Sequence, residues 1–354
     1  MSFLSNKLIL PPIIMNFLHQ NIRTQRANIL MTMKLALVTI VVCFLSSHIV
    51  AGLQVGFYRD KCPFAEAIIK DEVKKSFLED KGIAAGIIRL QFHDCFVRGC
   101  DGSLLIDSTP ENQAEKDGSP NKSIRGLEVI DNAKARLEAV CMGVVSCADI
   151  LAYAARDSNV LSGGLYWDVP AGRRDGRISR AAETEDIPKP SFNLDQLIEF
   201  FAKKGLTQGD MVALSGSHTI GRSHCFSFTV RLYNYNTKTM QDPNLDPHYA
   251  QLLKIECPRF LQGILNQTLV VAMNQSPFFM DSSYYGNLFK HAGLFNSDQS
   301  LLDSQTTAEQ ATVYATNDLA WKVDFARAMI KLSQVQVLTE NQGEIRANCR
   351  VINP

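Results

Sequence analysis

Several absences narrow the function of this chain before any motif is read. No Cys-x-x-Cys pair and no histidine cluster lies near the cysteines, so a structural zinc site has no ligand set to draw on. Nor is there a charge excess, since 36 Lys and Arg balance 36 Asp and Glu. That balance conceals an asymmetry: residues 1–53 contain Lys7, Arg23, Arg26 and Lys34 and no acidic residue at all. The remainder holds 32 basic against 36 acidic side chains, about −4, which argues against a nucleic-acid binder. Repeats, low-complexity tracts and long linkers are missing too, so one compact domain is the simplest organisation. Strand signals are few and short, around Leu161–Val169 and Val335–Leu338.

Long apolar runs are also scarce. The clearest, Leu35–Leu45, is short for a membrane span and is followed by Ser46, Ser47 and His48. Preceded by Met31-Thr32-Met33-Lys34 and followed by Ala51 and Gly52, it reads as a secretory signal peptide. Translation is expected to start at Met31 or Met33, with cleavage near residues 51–53; a start at Met1 would favour a signal anchor instead. Residues 1–52 are therefore assigned to an N-terminal extension plus signal, and 53–354 to the functional domain. Of nine cysteines, Cys43 falls in the signal and eight remain, an even set that fits an oxidising compartment and four disulfides. Spacing alone strongly favours only Cys95 with Cys100; Cys141 with Cys147 is also locally conceivable.

What is present is mostly helical periodicity. Apolar residues recur at threes and fours over Ala65–Phe77, Ile83–Phe96, Gly126–Cys141, Ser146–Ser158, Asn193–Lys204 and Thr207–Leu214. The same holds for Ser283–Ala292, Thr306–Asn317 and Ala320–Ser333, with Pro- and Gly-marked loops at Ser108–Asn121, Val169–Pro190 and Tyr233–Pro247. A mostly α domain is expected.

The densest chemistry lies in residues 86–103, GIIRLQFHDCFVRGCDGS. Arg89 and His93 are four apart, so a helix places a cation beside an imidazole on one face, a proton-handling arrangement. Asp94 and Asp101 are hard oxygen ligands on the turn that Cys95 and Cys100 bracket.

Four further segments follow in order: VSCADILAYAARD (145–157), VPAGRRDG (169–176), VALSGSHTIGRSHC (212–225) and GEIRANCRVIN (343–353). Together with RLQFHDCFVRGCDGS they resemble the class III plant secretory haem peroxidases, from about residue 53 to the C-terminus. The resemblance implies a two-lobed helical fold with haem b between a distal helix and a proximal one, and disulfides Cys62–Cys141, Cys95–Cys100, Cys147–Cys349 and Cys225–Cys257. It implies hydrogen peroxide as oxidant and small phenolic donors, such as cell-wall phenolics, oxidised in two one-electron steps. A secreted monomer is expected, extracellular, wall-bound or vacuolar, with no membrane contact once the signal is removed.

Residue by residue, the resemblance makes His218 the axial iron ligand and Asp298, in Phe-Asn-Ser-Asp-Gln, the acceptor of its second ring proton. Taken alone, His218 reads as a buried ring satisfied by a hydrogen bond. His93 becomes the peroxide base and Arg89 the charge stabiliser, with Phe92 beside the haem and Asn121 holding His93. Asn121 also heads a glycosylation sequon, as do Asn266 and Asn274, the last weakened by Pro277; a buried role is expected at Asn121 and any glycan at Asn266. Pro188 aligns with a residue at the exposed haem edge, with Phe192 nearby. Asp149 and Arg173 are expected to form a structural ion pair.

Two calcium sites are also implied. Asp94, Asp101 and Ser103 with the carbonyls of Val97 and Gly99 form the distal set, oxygen-only as calcium prefers. Thr219, Ser276, the Phe279 carbonyl and Asp281 form the proximal set, but the usual aspartate is missing from VVAMNQSPFFMD, where Met273 stands, or Asn274 if one residue is deleted. A weakened proximal site is expected. The aromatic residue beside the axial histidine is likewise replaced, by Ala272 or Met273. The competing readings are a non-enzymatic haem-binding or wall protein on a peroxidase scaffold, and an intracellular ascorbate-type peroxidase, which the signal and cysteines disfavour.

Overall fold

The expected helices form, and most begin where the sequence supplies a cap. The computed structural model describes residues 52–259 and 268–354; the signal assignment, Cys43 and Asn266 lie outside them. After the two-residue strand β1 (Gln54–Val55), the first lobe is built from α1 (Ala65–Glu79), α2 (Ile83–Val97), α3 (Leu127–Val140) and α4 (Cys147–Leu161). The Ser146 hydroxyl caps α4 by accepting from the Asp149 N–H at 3.1 Å. α2 and α1 both pack on α4, and α3 packs on α1. β2 (Pro170–Ala171) pairs antiparallel with β1, Gln54 facing Ala171.

The second lobe starts with α5 (Leu194–Lys203) and α6 (Gln208–Ser215). Each opens on a capping box, Asn193 with Gln196 and Thr207 with Asp210. Beyond them lie β3 (Arg222–His224), α7 (Thr229–Tyr233), α8 (Pro247–Glu256), β4 (Val270–Ala272), α9 (Ser283–Leu288), α10 (Asn296–Gln299), α11 (Gln305–Thr316) and α12 (Asp318–Leu332). α12 and α11 close over α6, while β3 and β4 form an antiparallel ribbon in which Arg222 faces Ala272.

One core joins both lobes, with Leu90, Phe96, Ile150 and Tyr153 from the first and Met211 and Trp321 from the second. Each large apolar side chain buried there contributes about 1.5–3 kcal/mol. A smaller core of Phe228, Leu232, Leu253 and Val271 surrounds the Cys225–Cys257 bond.

The four disulfides are Cys62–Cys141, Cys95–Cys100, Cys147–Cys349 and Cys225–Cys257, so the local Cys141–Cys147 pairing is excluded. Asp149 and Arg173 form the expected ion pair at 2.7 Å, both fully buried.

Secondary structure departs from the sequence reading at several places. Leu161–Val169 is not a strand: Gly163 adopts φ +91° and turns the chain, and pairing begins only at Pro170. Val335–Leu338 contributes a single bridge, Leu338 to Arg174. The reading over Ser283–Ala292 ends at Leu288, and His291 closes the following turn at φ 55°. Helix α8 was not foreseen, although Asp246 followed by Pro247 is a start signal: the Asp246 carboxylate accepts from the Tyr249 N–H at 2.7 Å and Pro247 takes the first helical position.

Candidate active site

A cavity of ≈ 860 Å³ opens between α2 and the turn that follows α6. Its walls are largely apolar, with Ile88 and Phe92 on one side and Leu214, Ile220, Phe325 and Met329 on the other. α2 is buried along nearly its whole length, so a polar residue on it needs a partner.

Arg89 and His93, one turn apart on α2, both line this cavity and are hydrogen-bonded to each other, Arg89 Nε–H donating to His93 Nε2 at 3.1 Å. The other His93 nitrogen, Nδ1, lies 2.5 Å from Asn121 Oδ1. Asn121 is itself fixed, its Nδ2 donating to the Glu115 carbonyl at 2.7 Å. This network places the imidazole proton on Nδ1 and the lone pair on Nε2. Burial, then the Arg89 charge, draws the His93 pKa down to about 3 against the opposing Asn121 bond, so the ring is neutral at ordinary pH. Arg89 is anchored by the Pro120 carbonyl at 2.7 Å and by Ser123; burial lowers its pKa only to about 10, which leaves it charged.

On the facing wall, His218 sits in a single 3₁₀ turn, Gly216–Thr219, directly after α6. Its Nδ1 is 2.7 Å from Asp298 Oδ1, and its side chain is 38% exposed in the cavity. Nε2 is therefore the nitrogen left for a metal. Asp298 is buried and accepts two more bonds, from the Phe295 N–H at 2.8 Å on Oδ2 and from the Tyr284 hydroxyl at 3.1 Å on Oδ1. Phe295 meets the His218 ring edge-on at 5.2 Å. His218 is flanked by small residues, in Ser215-Gly216-Ser217-His218. At Gly216 a side chain is excluded by Trp321 and Tyr285, since an added Cβ would lie 2.4 Å from Trp321 Nε1 and 2.6 Å from the Tyr285 hydroxyl.

Pro188 lines the cavity beside Lys189, whereas Phe192 does not line it: its ring packs edge-on against Phe200 at 4.8 Å. Met273 lines the cavity, and Ala272 ends β4. Asn121 and Asn274 are 1% and 6% exposed, which leaves neither sequon room for a glycan. Sequence reasoning missed Tyr284, Phe295 and Glu115. Phe295 lay within the quoted Phe-Asn-Ser-Asp segment, but nothing local marked the other two.

The two expected cation clusters differ in one respect. In the distal cluster Asp94 accepts from the Gly102 and Leu104 N–H groups, and Asp101 from the Ser103 N–H. The Ser103 hydroxyl and both Glu115 carboxylate oxygens are buried without a partner. Burial raises the pKa of Asp94 to about 8 and of Glu115 to about 9, each reinforced by neighbouring carboxylates. Buried carboxylates held close to one another, beside the Ser103 hydroxyl, suit a hard cation. The Val97 carbonyl accepts from Lys204 and the Gly99 carbonyl from the Asp101 N–H, each keeping a second lone pair. Among the described residues no three His, Cys, Asp or Glu side chains converge on a metal position, so such an ion rests on two carboxylates, a hydroxyl and carbonyls.

The proximal cluster is already satisfied. Asn274 Nδ2 donates to Thr219 Oγ1 at 2.9 Å and Ser283 Oγ at 2.5 Å, while Asn274 Oδ1 accepts from the Gln275 N–H and from Asn287 Nδ2, both at 2.8 Å. Thr219 and Ser276 donate to Asp281 at 3.1 and 2.7 Å, as does Ser283. Asn274, rather than Met273, thus stands where a carboxylate is expected, and it points donors at the oxygens. With one carboxylate, Asp281, and an amide in place of a second, this cluster fits a cation less well than the distal one. The Phe279 side chain is exposed, under Lys322.

A pocket lined by two histidines, one bonded to a carboxylate and one to an arginine, holds the groups that a haem enzyme activating peroxide needs, and comparison with known proteins agrees. Residues 69–317 match the peroxidase family. The chain is 60% identical to peroxidase 5 of Vitis vinifera over 87% of this chain and 94% of that protein. It is 47% identical to peroxidase 1 of Zea mays (86% and 84% covered) and 45% identical to peroxidase 64 of Arabidopsis thaliana (88% and 96%). The chain belongs to the peroxidase family, in its class III plant branch, and is a haem peroxidase that reacts with hydrogen peroxide and a reducing donor. No helix among the described residues is long and apolar enough to cross a membrane.

Proposed function

We propose that this peroxidase is secreted as a monomer and oxidises small phenolic donors, with His93 as proton-transfer base, Arg89 as charge stabiliser, Asn121 as the support of His93 and His218 as the haem ligand. The observation that carries this is the pairing across one cavity of His218–Asp298 with Arg89–His93–Asn121. Four disulfides support an oxidising destination, outside the cell, in the wall or in a vacuole.

Bound at His218, haem b supplies the iron that activates peroxide and the oxidising equivalents passed one at a time to donors. The protein's part is proton and charge management. Neutral His93 takes a proton from hydrogen peroxide at Nε2 and returns it to the leaving oxygen, which departs as water. Arg89 Nε–H now occupies that lone pair, so an arriving peroxide must exchange this bond, freeing the guanidinium to stabilise the negative charge on the separating oxygen. Asn121 holds the ring in the tautomer this requires. Pro188, at the cavity edge, is where a phenol would approach. Purified protein should show a Soret band and turn over guaiacol in preference to ascorbate; haem binding without turnover would favour the non-enzymatic scaffold, and ascorbate preference the third reading.

For calcium, the fit supports one tightly held ion per chain, at Asp94, Asp101 and Ser103, rather than two. Metal analysis after mild chelation should find about one calcium per haem, and Asn274→Asp should raise the count toward two by replacing an inward-facing donor with a carboxylate. Two retained ions in the unmodified protein would contradict this.

A further inference from the structure

We infer that Tyr284 is a positioning residue for the axial histidine, tuning how strongly Asp298 draws on the His218 ring proton. Asp298 Oδ1 accepts two bonds at once, from His218 Nδ1 at 2.7 Å and from the Tyr284 hydroxyl at 3.1 Å. A carboxylate oxygen shared between two donors is a weaker base toward each. Every increment of charge that Tyr284 withdraws from Oδ1 leaves His218 less imidazolate-like, and hence a weaker electron donor to whatever its Nε2 binds.

The placement of Tyr284 is tightly determined. The residue is 4% exposed, its ring stands edge-on to His218 at 6.2 Å and to Tyr285 at 4.9 Å, and among the described residues its hydroxyl bonds only to Asp298. It also follows Ser283 directly, and Ser283 is bonded to Asn274 and Asp281. His218 in turn is followed by Thr219, a member of the same network. This side-chain cluster therefore fixes the residues next to both donors of Asp298 Oδ1, so the Asn274–Asp281 network and the His218–Asp298 bond are mechanically joined through single peptide units.

The inference rests on the haem reading above, and the two fail distinguishably: a chain without a Soret band defeats that reading, whereas this one is judged only on haem-loaded protein. In Tyr284→Phe the carboxylate loses one donor, so the ferric/ferrous midpoint potential should fall and the iron–histidine stretching frequency should rise. Asp298→Asn should raise the potential, and adding Tyr284→Phe to Asp298→Asn should shift it little, because the effect runs through the carboxylate. Site-specific 3-fluorotyrosine at position 284, a stronger donor of nearly the same size, should raise the potential, which keeps the test open if the Phe variant loads haem poorly. An unchanged or raised potential in haem-loaded Tyr284→Phe, or the same shift with and without Asp298, would overturn the inference.

Discussion

Replacing His93 with leucine is expected to slow the reaction with hydrogen peroxide by at least about 10²–10⁴-fold, the range a positioned general base supplies. The geometry explains why no neighbour takes over. Arg89 is the polar group bonded to Nε2, and a guanidinium has no lone pair to accept a proton. Asn121 is bonded to Nδ1, the far side of the ring, and its amide is not a base. Haem loading should be unaffected, because His218 and Asp298 lie on the other wall. Stopped-flow mixing of haem-loaded variant with peroxide checks this, and a rate near that of the unmodified protein would remove His93 from its role. Arg89→Leu should cost less, about 10²–10³-fold, since it removes charge stabilisation and leaves the base.

The largest expected loss of stability is at Asp149. Its carboxylate accepts from Arg173 Nη1 at 2.7 Å, the Tyr58 hydroxyl at 2.6 Å and the Gly172 N–H at 2.7 Å, at the junction of α4, the N-terminal strand and the β2 segment. Arg173 reaches onward to the Ser333 carbonyl at the end of α12, so one buried pair links the two lobes. Asp149→Ala leaves a fully buried guanidinium with no counter-charge, at a cost of about 3–5 kcal/mol. Denaturant unfolding with the disulfides intact should show that loss. The double variant Asp149→Leu, Arg173→Leu should lose less than Asp149→Ala alone, because both desolvated charges are then gone; an equal or greater loss would mean that the attraction itself dominates.

Much of this was legible in the sequence, for reasons that differ by residue. Arg89 and His93 share a helix face, so four-residue spacing already brought them together. His218 and Asp298 are 80 residues apart, and only the resemblance joined them before the structure did. Some helix starts that were read correctly carry local caps, such as Ser146, Asn193 and Thr207, whereas those at Ala65 and Ile83 have none and rested on apolar periodicity. α8 carried the same kind of signal at Asp246 and Pro247, but its proline was read as the end of a loop.

The proximal cluster shows where sequence reading stops. Whether Met273 or Asn274 takes the inward position depends on ribbon register. Because β3 pairs Arg222 with Ala272 and Ser223 with Val271, the strand ends so that Met273 meets the cavity and Asn274 turns to Thr219. Tyr284 and Glu115 went unread because their roles depend on groups that only tertiary folding brings near: Asp298 for the first, and buried Asp94 and Asp101 for the second.

The central claim, that a neutral His93 held beside a charged Arg89 cleaves peroxide, is tested most directly by the pH dependence of the second-order rate constant for the haem-loaded enzyme and hydrogen peroxide. With the imidazole pKa drawn down to about 3, the base form predominates above that value. The rate constant should be flat from about pH 8 to pH 5 and fall only as pH approaches about 3. A rate constant that falls tenfold for each unit below about pH 6.5, the ordinary histidine value, would contradict the account.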